Sequence, residues 1–295
     1  MLLRNTFFYT AGIAFLALAK AKHVIKGYSS PKPFDLSESD RCIDYDIQVV
    51  DEWLAFLHRY TENGDALIEK NVLELGPGSD LGAGLYLLSK GASQYNACDV
   101  NELAKRAPDR FYEQLFDRLK QLNDSTDVGA LKEQLQALKA NKPSRLNYVV
   151  RDDFDIVAAF GKETMDIVFS QAAFEHFDNI EATAAQLSEV CKPNAVLVIE
   201  VDLKTHSRWI TPRDPNNIYR YSNRLYNLFR FRGIPNRKRP YEYVNALKRA
   251  GWKNIELIPI SQQPTEMNSY AGMNQQFVHS KNQMEYLSIM ICAQK

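Results

Sequence analysis

Two short segments, about twenty residues apart, restrict the folds open to this chain more than any other feature. The run V-L-E-L-G-P-G-S at residues 72–79 joins an apolar stretch to two glycines, and C-D-V-N at residues 98–101 ends a second apolar stretch with an acid. Glycines after a buried strand let the chain turn tightly and bring backbone amides close to a ligand. An acid at this spacing can accept hydrogen bonds from both ribose hydroxyls of an adenosine. The two segments therefore predict strands whose ends share a nucleotide-cofactor pocket.

The residues around the glycines distinguish between possible cofactors. Dinucleotide sites use a similar strand, turn and acid, with the spacing G-x-G-x-x-G. Here Glu74 lies two residues before Gly76, where a carboxylate would repel a pyrophosphate and suit a cationic ligand. Pro77 separates Gly76 from Gly78, and the residues from Ser79 onward depart from the dinucleotide spacing. In these residues the chain resembles the class I S-adenosylmethionine-dependent methyltransferases.

This resemblance implies methyl transfer as the activity, S-adenosylmethionine as the cofactor, and roles for particular residues. In that family the E-x-G-x-G segment, here residues 74–78, approaches the amino acid end of the cofactor. The acid after the second strand holds the ribose, a role that falls to Asp99, with Ser79 and Val100 as neighbouring cofactor candidates. Aromatic residues upstream often cover the cofactor in related enzymes. Tyr45 is the candidate for that role, and packing in the core is the alternative.

A third predicted strand supplies candidates for the adenine end of the cofactor. Residues 146–150 form the strand, and in the family an acid after it commonly reaches the adenine amino group. Asp152 and Asp153 are the candidate acids, and Phe154 follows them.

A fourth predicted strand, residues 165–169, leads into the segment that faces the cofactor sulfur and the substrate in the family. Ser170 and Gln171 begin this segment and complete the set of cofactor candidates. His176 follows Glu175 in the same segment and lies near the mouth of the predicted pocket. Because E-H at this point is often a feature of a helix start in the superfamily, we expect His176 to position other groups.

The remaining apolar runs complete a sheet. Residues 195–201 predict a fifth strand after a helix, and residues 255–259 and 286–292 predict a sixth and a seventh. Strands that alternate with helices form a parallel sheet that binds ligands outside the carboxyl ends of its strands. The predicted fold is α/β, with a Rossmann-like, mostly parallel seven-stranded sheet, and the resemblance to the methyltransferases implies that the last strand is antiparallel. Helices cover both faces, and an N-terminal helix and helical insertions are added.

The predicted organisation is one catalytic domain with additions. Residues 1–60 form an N-terminal helical segment with an apolar helix at about 7–19, and residues 61–295 form the methyltransferase domain. Helical periodicity predicts an insertion at about 108–142. The insertion can pack on the core, wall the acceptor pocket or make a dimer surface, and a homo-oligomer is compatible with it.

A basic segment, residues 204–241, follows the fifth strand and is expected to cover the mouth of the site as an acceptor-binding cap. The segment contains ten lysines and arginines but a single acid, Asp214, and aromatic residues are interleaved with the cations. Such a field attracts anions, and arginine with aromatics suits phosphates and sugar rings. The alternative is an amphipathic helix at residues 222–231, with aromatics toward the core and solvated arginines. No recognised nucleic-acid-binding module is present, so nucleic acid is not an expected partner.

Three strings in and before this segment resemble a group of methyltransferases found among surface-polysaccharide biosynthesis enzymes. They are V-D-L-K-T-H at residues 201–206, Y-R-Y-S at 219–222 and P-N-R-K-R-P-Y at 235–241. The group shows I-D-L-x-D-H after the fifth strand, and Thr205 stands where that pattern has its second acid. The resemblance implies a sugar or glycolipid precursor hydroxyl as the acceptor, small or lipid-linked. His206 is the candidate general base, because imidazole titrates near neutral pH.

The N-terminal apolar run lies between cationic residues. Residues 7–19 follow Arg4 and precede Lys20, Lys22 and Lys26. About thirteen apolar residues are too few to span a bilayer, which needs about twenty. We therefore expect a helix that packs on the domain or a partner, or one that lies in the inner membrane surface. Cleavage as a signal peptide would separate the enzyme from a cytoplasmic methyl donor.

The cysteines and histidines predict neither a metal site nor a disulfide framework. The four cysteines are scattered without a C-x-x-C pair, and no histidines stand at ligand spacing. A reducing cytoplasm is the expected compartment, with peripheral contact at the inner membrane surface.

Two other functions stay open at this point. A nicotinamide-dependent oxidoreductase would use the same strand and glycine turn, but Glu74, Pro77 and the missing third glycine disfavour it. A binding or scaffolding protein would keep the fold and the N-terminal helix and transfer nothing.

Overall fold

A seven-stranded sheet forms the centre of the protein in the computed structural model, which describes residues 2–27, 35–60, 66–264 and 272–295. The strand order is β3-β2-β1-β4-β5-β7-β6. The strands are β1 (Asn71–Leu75), β2 (Gln94–Asp99), β3 (Leu146–Val150), β4 (Met165–Gln171), β5 (Cys191–Asp202), β6 (Lys253–Gln262) and β7 (Tyr286–Gln294). The pairings among β1 to β5 are parallel, and β7 runs antiparallel to both of its neighbours, β5 and β6. The sheet confirms the predicted fold.

Two layers of helices cover the sheet. The helices are α1 (Leu2–Lys26), α2 (Ser39–Leu57), α3 (Gly82–Ser89), α4 (Asp109–Leu122), α5 (Val128–Lys139), α6 (Ile156–Phe160), α7 (Ile180–Val190), α8 (Asn223–Leu228) and α9 (Pro240–Arg249). Along β1, Val72 and Leu73 belong to different hydrophobic clusters, as alternate residues of a strand must when both faces are covered. The first cluster includes residues of α2 to α5, and the second includes residues of α6, α7 and α9.

The chain order places the cofactor candidates at one point of the sheet. β1 pairs with β2 on one side and with β4 on the other, so the strand order reverses between β1 and β4. Ligands of open α/β sheets bind outside the carboxyl ends of the strands at such a reversal. The glycine turn after β1 and the acid at the end of β2 both lie there.

The helical insertion packs on the core. Its two helices, α4 and α5, bury Phe111, Leu115 and Leu131 among their apolar residues against the cluster that also contains Trp53 of α2. The Tyr112 hydroxyl accepts a hydrogen bond from the backbone N–H of Leu81, 3.3 Å away, in the loop that follows β1. The insertion thus supports the loop that carries the glycine turn.

The helix α1 packs against the basic segment, residues 204–241. The side-chain amide of Asn217 donates to the Phe8 carbonyl oxygen at 2.9 Å, and the Tyr221 hydroxyl donates to the Tyr9 carbonyl oxygen at 3.1 Å. This approach requires a glycine at position 12, because a Cβ on Gly12 would lie 1.9 Å from the Tyr221 hydroxyl oxygen. One side of α1 is therefore docked on the domain.

The other side of α1 is apolar and exposed. The helix has 25 residues and continues through the polar residues on both sides of the predicted helix at residues 7–19. By length and composition alone, Leu3–Ile25 is sufficient to cross a membrane. The sequence analysis excluded a membrane-spanning helix because it counted only the uninterrupted apolar run at residues 7–19. That count was wrong about the length of the helix. Among the described side chains of α1, the large hydrophobic ones that are exposed are Leu3, Phe7, Tyr9, Leu18, Val24 and Ile25.

The basic segment uses several of its cations inside the fold. Arg239 is fully buried, and its Nε donates to the Asn282 carbonyl oxygen at 2.8 Å. Arg220 forms a buried ion pair with Asp214, 2.7 Å between Nε and Oδ2, and Arg237 is buried as well. These three arginines do not face an external anion, which corrects the interpretation of all ten cations as one attractive field.

The suggested amphipathic helix in this segment is short. α8 covers six residues of the range 222–231. Within it Tyr226 is buried and Arg224 is exposed, as an amphipathic helix requires. The aromatic side chains of the segment mostly build a small core of their own. Its buried members are Ile218, Tyr219, Tyr221, Tyr226, Ile234, Phe277 and Met284.

Candidate active site

A cavity of about 930 Å³ opens at the carboxyl ends of the central strands. The predicted site residues that line it are Tyr45, Glu74, Gly76, Pro77, Gly78, Ser79, Asp99, Val100, Asp152, Asp153, Phe154, Gln171, His176 and His206. Ser170 is not among the lining residues. Its side chain is fully buried, and its hydroxyl donates to the Leu75 carbonyl oxygen at 2.8 Å, which ties β4 to β1. Its expected role as a cofactor contact is therefore corrected to a structural one.

The turn after β1 requires its glycines. Gly76 and Gly78 have φ angles of 73° and 81°, in the region that side chains with a Cβ rarely adopt. The Gly76 N–H donates to the Cys98 carbonyl oxygen at 2.9 Å, which joins the turn to β2. A Cβ on Gly76 would also lie 2.7 Å from the Cβ of Ala173, so the loops after β1 and β4 approach each other closely here.

Asp99 lies at the end of β2 beside this turn. Its Oδ1 accepts the N–H of Asn101 at 2.9 Å, and the side chain is buried at the cavity wall. Burial raises the pKa of Asp99, while hydrogen bonds from the N–H groups of Asn101, Val100 and Gly78 act in the opposite direction. The carboxylate is thus held by backbone groups at the wall of the cavity.

Glu74 lies two residues before the glycine turn, and its side chain is buried. Its Oε2 accepts a hydrogen bond from the Tyr95 hydroxyl at 2.5 Å. Burial, with a smaller contribution from the nearby charges of Asp80 and Asp99, raises the pKa of Glu74 to about 8, although the hydrogen bond from Tyr95 acts in the opposite direction. The carboxyl is therefore mostly protonated at pH 7, and a cation bound beside it would favour its ionised form.

This pKa predicts that a cationic ligand displaces a proton. If the ammonium group of the cofactor binds near Glu74, binding near pH 7 releases protons, because the carboxyl is protonated below about pH 8 before binding and ionised afterward. We expect the enthalpy of S-adenosylhomocysteine binding, measured by calorimetry, to vary with the ionisation enthalpy of the buffer. This variation should shrink in the Glu74→Gln variant, whose side-chain oxygen can still accept the hydrogen bond from the Tyr95 hydroxyl. An equal buffer dependence in both proteins would exclude Glu74 as the source.

Asp46 and Asp80 form a carboxyl pair that the sequence did not predict. Asp46 lies on α2 and Asp80 follows the glycine turn, and the two side chains are joined by a hydrogen bond. Burial and the charge of Asp80 raise the pKa of Asp46 well above its usual value. The Gly82 N–H donates to Asp80 at 2.9 Å, whereas Oδ2 of Asp46 has no hydrogen-bond partner among the described residues. With Glu74, three carboxyl groups meet at this corner of the cavity.

The two acids after β3 are in different surroundings. Asp153 is exposed, and the Arg151 guanidinium binds its two oxygens at 2.8 and 2.7 Å. The backbone carbonyl of Asp152 accepts a hydrogen bond from Arg232 at 2.7 Å. Phe154 follows with a φ of 51° and packs on Phe177, with ring centroids 4.8 Å apart.

Tyr45 and Gln171 lie together on another wall. Tyr45 is 53% exposed and lines the cavity, so it is not part of the packed core. Its hydroxyl is hydrogen-bonded to the side chain of Gln171, whose amide in turn donates to Glu200. This position is outside the packed core, and the covering role of Tyr45 stays a prediction.

The far end of the cavity contains two histidines and two acids. Nε2 of His176 and Nε2 of His206 each lie 4.0 Å from Oε1 of Glu175, and the His206 nitrogen also lies 4.0 Å from Oδ2 of Asp202. The Glu175 side chain is 3% exposed, and burial raises its pKa well above the usual value. Burial lowers the pKa of His176 to about 4 and lowers that of His206, about a third of whose side chain is exposed. Both imidazoles are therefore neutral at pH 7.

Sequence reasoning assigned no site role to Asp46, Asp80, Glu175 or Asp202 and considered Arg232 only as part of the basic segment, yet all five line the cavity. Asp46 had a signal, because it stands at helical spacing with the apolar residues of α2 that face the core. Glu175 and Asp202 lie at the carboxyl ends of strands, where ligands bind. Arg232 comes from the basic segment, and its contact with the loop after β3 has no local sequence signal.

Distant similarity to solved structures is found for most of the chain. The phosphoethanolamine N-methyltransferase 2 of Haemonchus contortus is 15% identical over 83% of this chain, with a TM-score of 0.47, and this chain spans only about half (52%) of that protein. An S-adenosylmethionine-dependent methyltransferase from Mesorhizobium loti is 12% identical, with a TM-score of 0.45, and 82% of this chain and 96% of that chain are covered. One from Aquifex aeolicus is 15% identical, with a TM-score of 0.43 and coverages of 88% and 98%.

The family assignment rests on the sequence. No curated protein matches the chain significantly. The profile of a family described as a methyltransferase domain matches residues 45–257, well over half of the chain, and the match contains every predicted site residue. The match supports the methyltransferase over the nicotinamide-dependent oxidoreductase. The chain therefore belongs to this methyltransferase domain family and is an S-adenosylmethionine-dependent methyltransferase.

Proposed function

We propose that the protein methylates a hydroxyl of a sugar or glycolipid precursor, on the cytoplasmic side of the membrane, as the surface-polysaccharide group does. The observation that carries this proposal is the division of one cavity into two ends. Acids and glycines suited to the cofactor line one end, and a pair of neutral histidines lines the other. A hydroxyl acceptor needs a group near the sulfonium that can influence its proton, and this second end supplies such groups.

The cofactor is proposed to lie along the ends of β1 to β4. Asp99 accepts hydrogen bonds from the ribose hydroxyls, and Glu74 with the Asp46–Asp80 pair surrounds the ammonium group. Asp152 is the better candidate for the adenine amino group, because the Asp153 carboxylate is already bound by Arg151. Methyl transfer needs mainly alignment of donor and acceptor, since the sulfonium is already activated.

Replacement of Asp99 by alanine is expected to weaken the binding of S-adenosylhomocysteine by about 10- to 100-fold. Hydrogen bonds to a charged group contribute about 1.5–3 kcal/mol, and the ribose loses its charged acceptor. Calorimetric titration measures the change. The matched control is Asp153→Ala, which removes a carboxylate at the same cavity that Arg151 already occupies and should change the affinity less than about threefold. Equal losses in both variants would contradict the assignment of the ribose to Asp99.

His206 is the proposed general base at the acceptor end. Its imidazole is neutral at pH 7, so it can accept a proton. Thr205 stands where the polysaccharide group has an acid, and the nearest carboxylates to the His206 ring are instead those of Asp202 and Glu175, each 4.0 Å from Nε2. Asp202 is proposed to orient the ring in the absence of that acid.

A direct test of the acceptor class uses the purified full chain. Labelled S-adenosylmethionine is supplied with sugar nucleotides and with lipid-linked sugars, and the methylated product is identified by mass spectrometry. We expect an O-methyl group on a sugar of one of these classes. Transfer only to an amine or to a carbon acid would contradict the proposal and leave the methyltransferase assignment intact.

Peripheral membrane contact through α1 is proposed as the way the enzyme meets a lipid-linked acceptor. The helix α1 exposes its apolar side and packs by its other side on the basic segment, which carries exposed arginines and the 77% exposed side chain of Trp209. Apolar and cationic groups together favour adsorption to anionic lipid.

The membrane contact predicts vesicle binding that depends on α1. The full chain should sediment with vesicles that contain an anionic lipid, and the double variant Phe7→Ser, Leu18→Ser should sediment several-fold less, because both side chains are exposed. Substitutions on the docked side of α1 would disturb its packing and are unsuitable as a control. The control is therefore Leu36→Ser, which replaces an exposed leucine outside α1. Equal sedimentation of all three proteins would contradict the proposed contact.

A further inference from the structure

The acceptor end of the cavity has the features of a metal site. One ligand-type atom from each of Glu175, His176 and His206 lies within 4.8 Å of the others. The two imidazole Nε2 atoms flank the same carboxylate oxygen, each at 4.0 Å. An ion about 2.1 Å from each ligand atom places neighbouring ligand atoms about 3.0–3.5 Å apart. Side-chain rotations that move these atoms by about an ångström or less would close the site without a change in the backbone.

The buried carboxyl of Glu175 lacks the partners that such a group requires. Both of its oxygens, and Nδ1 of His176, lack a well-formed hydrogen bond in the described part of the chain, and only backbone groups of Glu175, Asp202 and Gly233 approach them more loosely. The residue is 2% exposed. A buried polar group without a partner costs free energy, and a buried carboxylate is normally paired or bound to a metal. A cation between Glu175 and the Nε2 atoms of the imidazoles would satisfy the Glu175 carboxylate.

The fold holds the three residues in place. Glu175 and His176 lie on a 3-10 turn after β4, and His206 follows the neighbouring strand β5. Asn236 of the basic segment clamps the turn, because its backbone N–H donates to the Glu175 carbonyl oxygen at 2.6 Å and its side-chain amide to that of Phe174 at 2.9 Å. The ligand-bearing turn is therefore fixed by backbone contacts that do not use the ligand atoms.

We propose that Glu175, His176 and His206 bind one divalent transition-metal ion, with Asp202 as the adjacent carboxylate that completes the ligand set. Two imidazoles with carboxylates suit Zn²⁺, Fe²⁺ and related ions better than Mg²⁺ or Ca²⁺, which prefer ligand sets made of oxygen. This set revises the sequence-based expectation of no metal site. That expectation relied on local spacing, whereas His176 and His206 come from different strand ends.

The proposed role of the ion rests on the proposed function. Bound to the acceptor oxygen, the ion lowers the pKa of the hydroxyl and orients it toward the sulfonium. The oxygen then forms a bond to the methyl carbon, the carbon–sulfur bond breaks with its electron pair left on sulfur, and the hydroxyl proton is released to water. His206 then acts as a ligand of the ion, which replaces its role as the general base.

The test measures metal binding directly on the full chain. The purified protein is stripped with a chelator and dialysed against Zn²⁺ or Co²⁺, and bound metal is measured by elemental analysis. We expect one ion per chain, and for Co²⁺ a visible absorption spectrum that reports nitrogen and oxygen ligands. Glu175→Gln and His206→Ala should each weaken binding by at least about tenfold. The control, His58→Ala, removes an exposed histidine outside the cavity and should bind like the wild type.

The measurements distinguish a failure of the proposed metal site from a failure of the proposed methyltransferase function. Titration with S-adenosylhomocysteine, together with circular dichroism, establishes that each variant is folded. His206→Ala keeps the proposal testable if Glu175→Gln fails to fold, because His206 lies at the edge of the cavity. Substoichiometric metal in a wild-type protein that binds S-adenosylhomocysteine would overturn the metal site and leave the function intact, and so would undiminished metal binding in both variants. Metal bound without any affinity for S-adenosylhomocysteine would instead remove the proposed function.

Discussion

Replacement of Gly76 by valine is expected to abolish detectable binding of S-adenosylhomocysteine. A β-branched residue at a φ of 73° is strained by about 1–3 kcal/mol. Its Cβ would also stand 2.7 Å from the Cβ of Ala173, so the loops after β1 and β4 must separate. Because both loops line the cavity, the added methyl groups and the displaced turn occupy or distort the cofactor end. Together the two effects correspond to an affinity loss of about 10³-fold or more.

The matched control for this substitution is Gly251→Val. Gly251 also has a positive φ, 91°, but among the described residues no atom beyond its chain neighbours lies within 4 Å of the position of its Cβ, and it does not line the cavity. The control should lose stability through backbone strain and keep its affinity for S-adenosylhomocysteine. Calorimetry measures affinity, and denaturant unfolding measures stability in both variants. Retained affinity in Gly76→Val would contradict the assignment of the turn to the cofactor.

Replacement of His206 by alanine is expected to lower the turnover number by about 10²- to 10⁴-fold, with little change in the affinity for S-adenosylhomocysteine. A group that takes or activates the acceptor proton contributes about that factor. The side chain lies at the acceptor end of the cavity, away from Asp99 and Glu74, so the cofactor contacts are untouched. Turnover is measured as S-adenosylhomocysteine released once an acceptor is identified.

His58→Ala is the control for this variant as well, because His58 is exposed and lies outside the cavity. Wild-type turnover in His206→Ala would remove the residue from the mechanism, as base and as ligand alike. Metal content separates the two roles. If the wild type binds no metal and the variant is inactive, His206 is the base, and if the variant loses metal and activity together, it is a ligand.

The strands and their order could be predicted because each is a local pattern. Apolar runs such as residues 72–75 and 146–150 gave the strands, and the alternation with helices gave a parallel sheet with sites at the carboxyl ends. Most cofactor candidates followed, since a residue after a strand end must lie near that edge. Ser170 was the exception. Whether a residue near the end of a strand points into the cavity or toward a neighbouring strand depends on strand pairing, and the Ser170 hydroxyl donates to the Leu75 carbonyl oxygen of β1.

The rest depended on contacts between distant segments. Asp46 and Asp80 meet because α2 packs beside the glycine turn, and Glu175, His176 and His206 meet because β4 and β5 are neighbours. The length of α1 was misjudged for a related reason. Helical backbone bonding continues through polar residues that tertiary contacts support, and Lys20 of α1 donates to the Leu228 carbonyl oxygen at 2.7 Å.

The basic segment shows the same limit in its charges. Composition predicted a surface field, but composition does not distinguish an arginine that faces solvent from one that binds the protein's own carbonyl groups. Arg239 is fully buried and holds the segment to the loop before β7, whereas Arg224 is exposed. The attraction for anions is therefore carried by fewer cations than the sequence contains.

The measurement that tests the account most directly is calorimetric titration of the purified full chain with S-adenosylhomocysteine, with NADH and NADPH as parallel controls. It tests the cavity at the end of β1 and β2 without requiring the acceptor. The account predicts micromolar binding of one S-adenosylhomocysteine per chain and no binding of either nicotinamide cofactor. Selective binding of NADH or NADPH, or the absence of binding of all three, would contradict it.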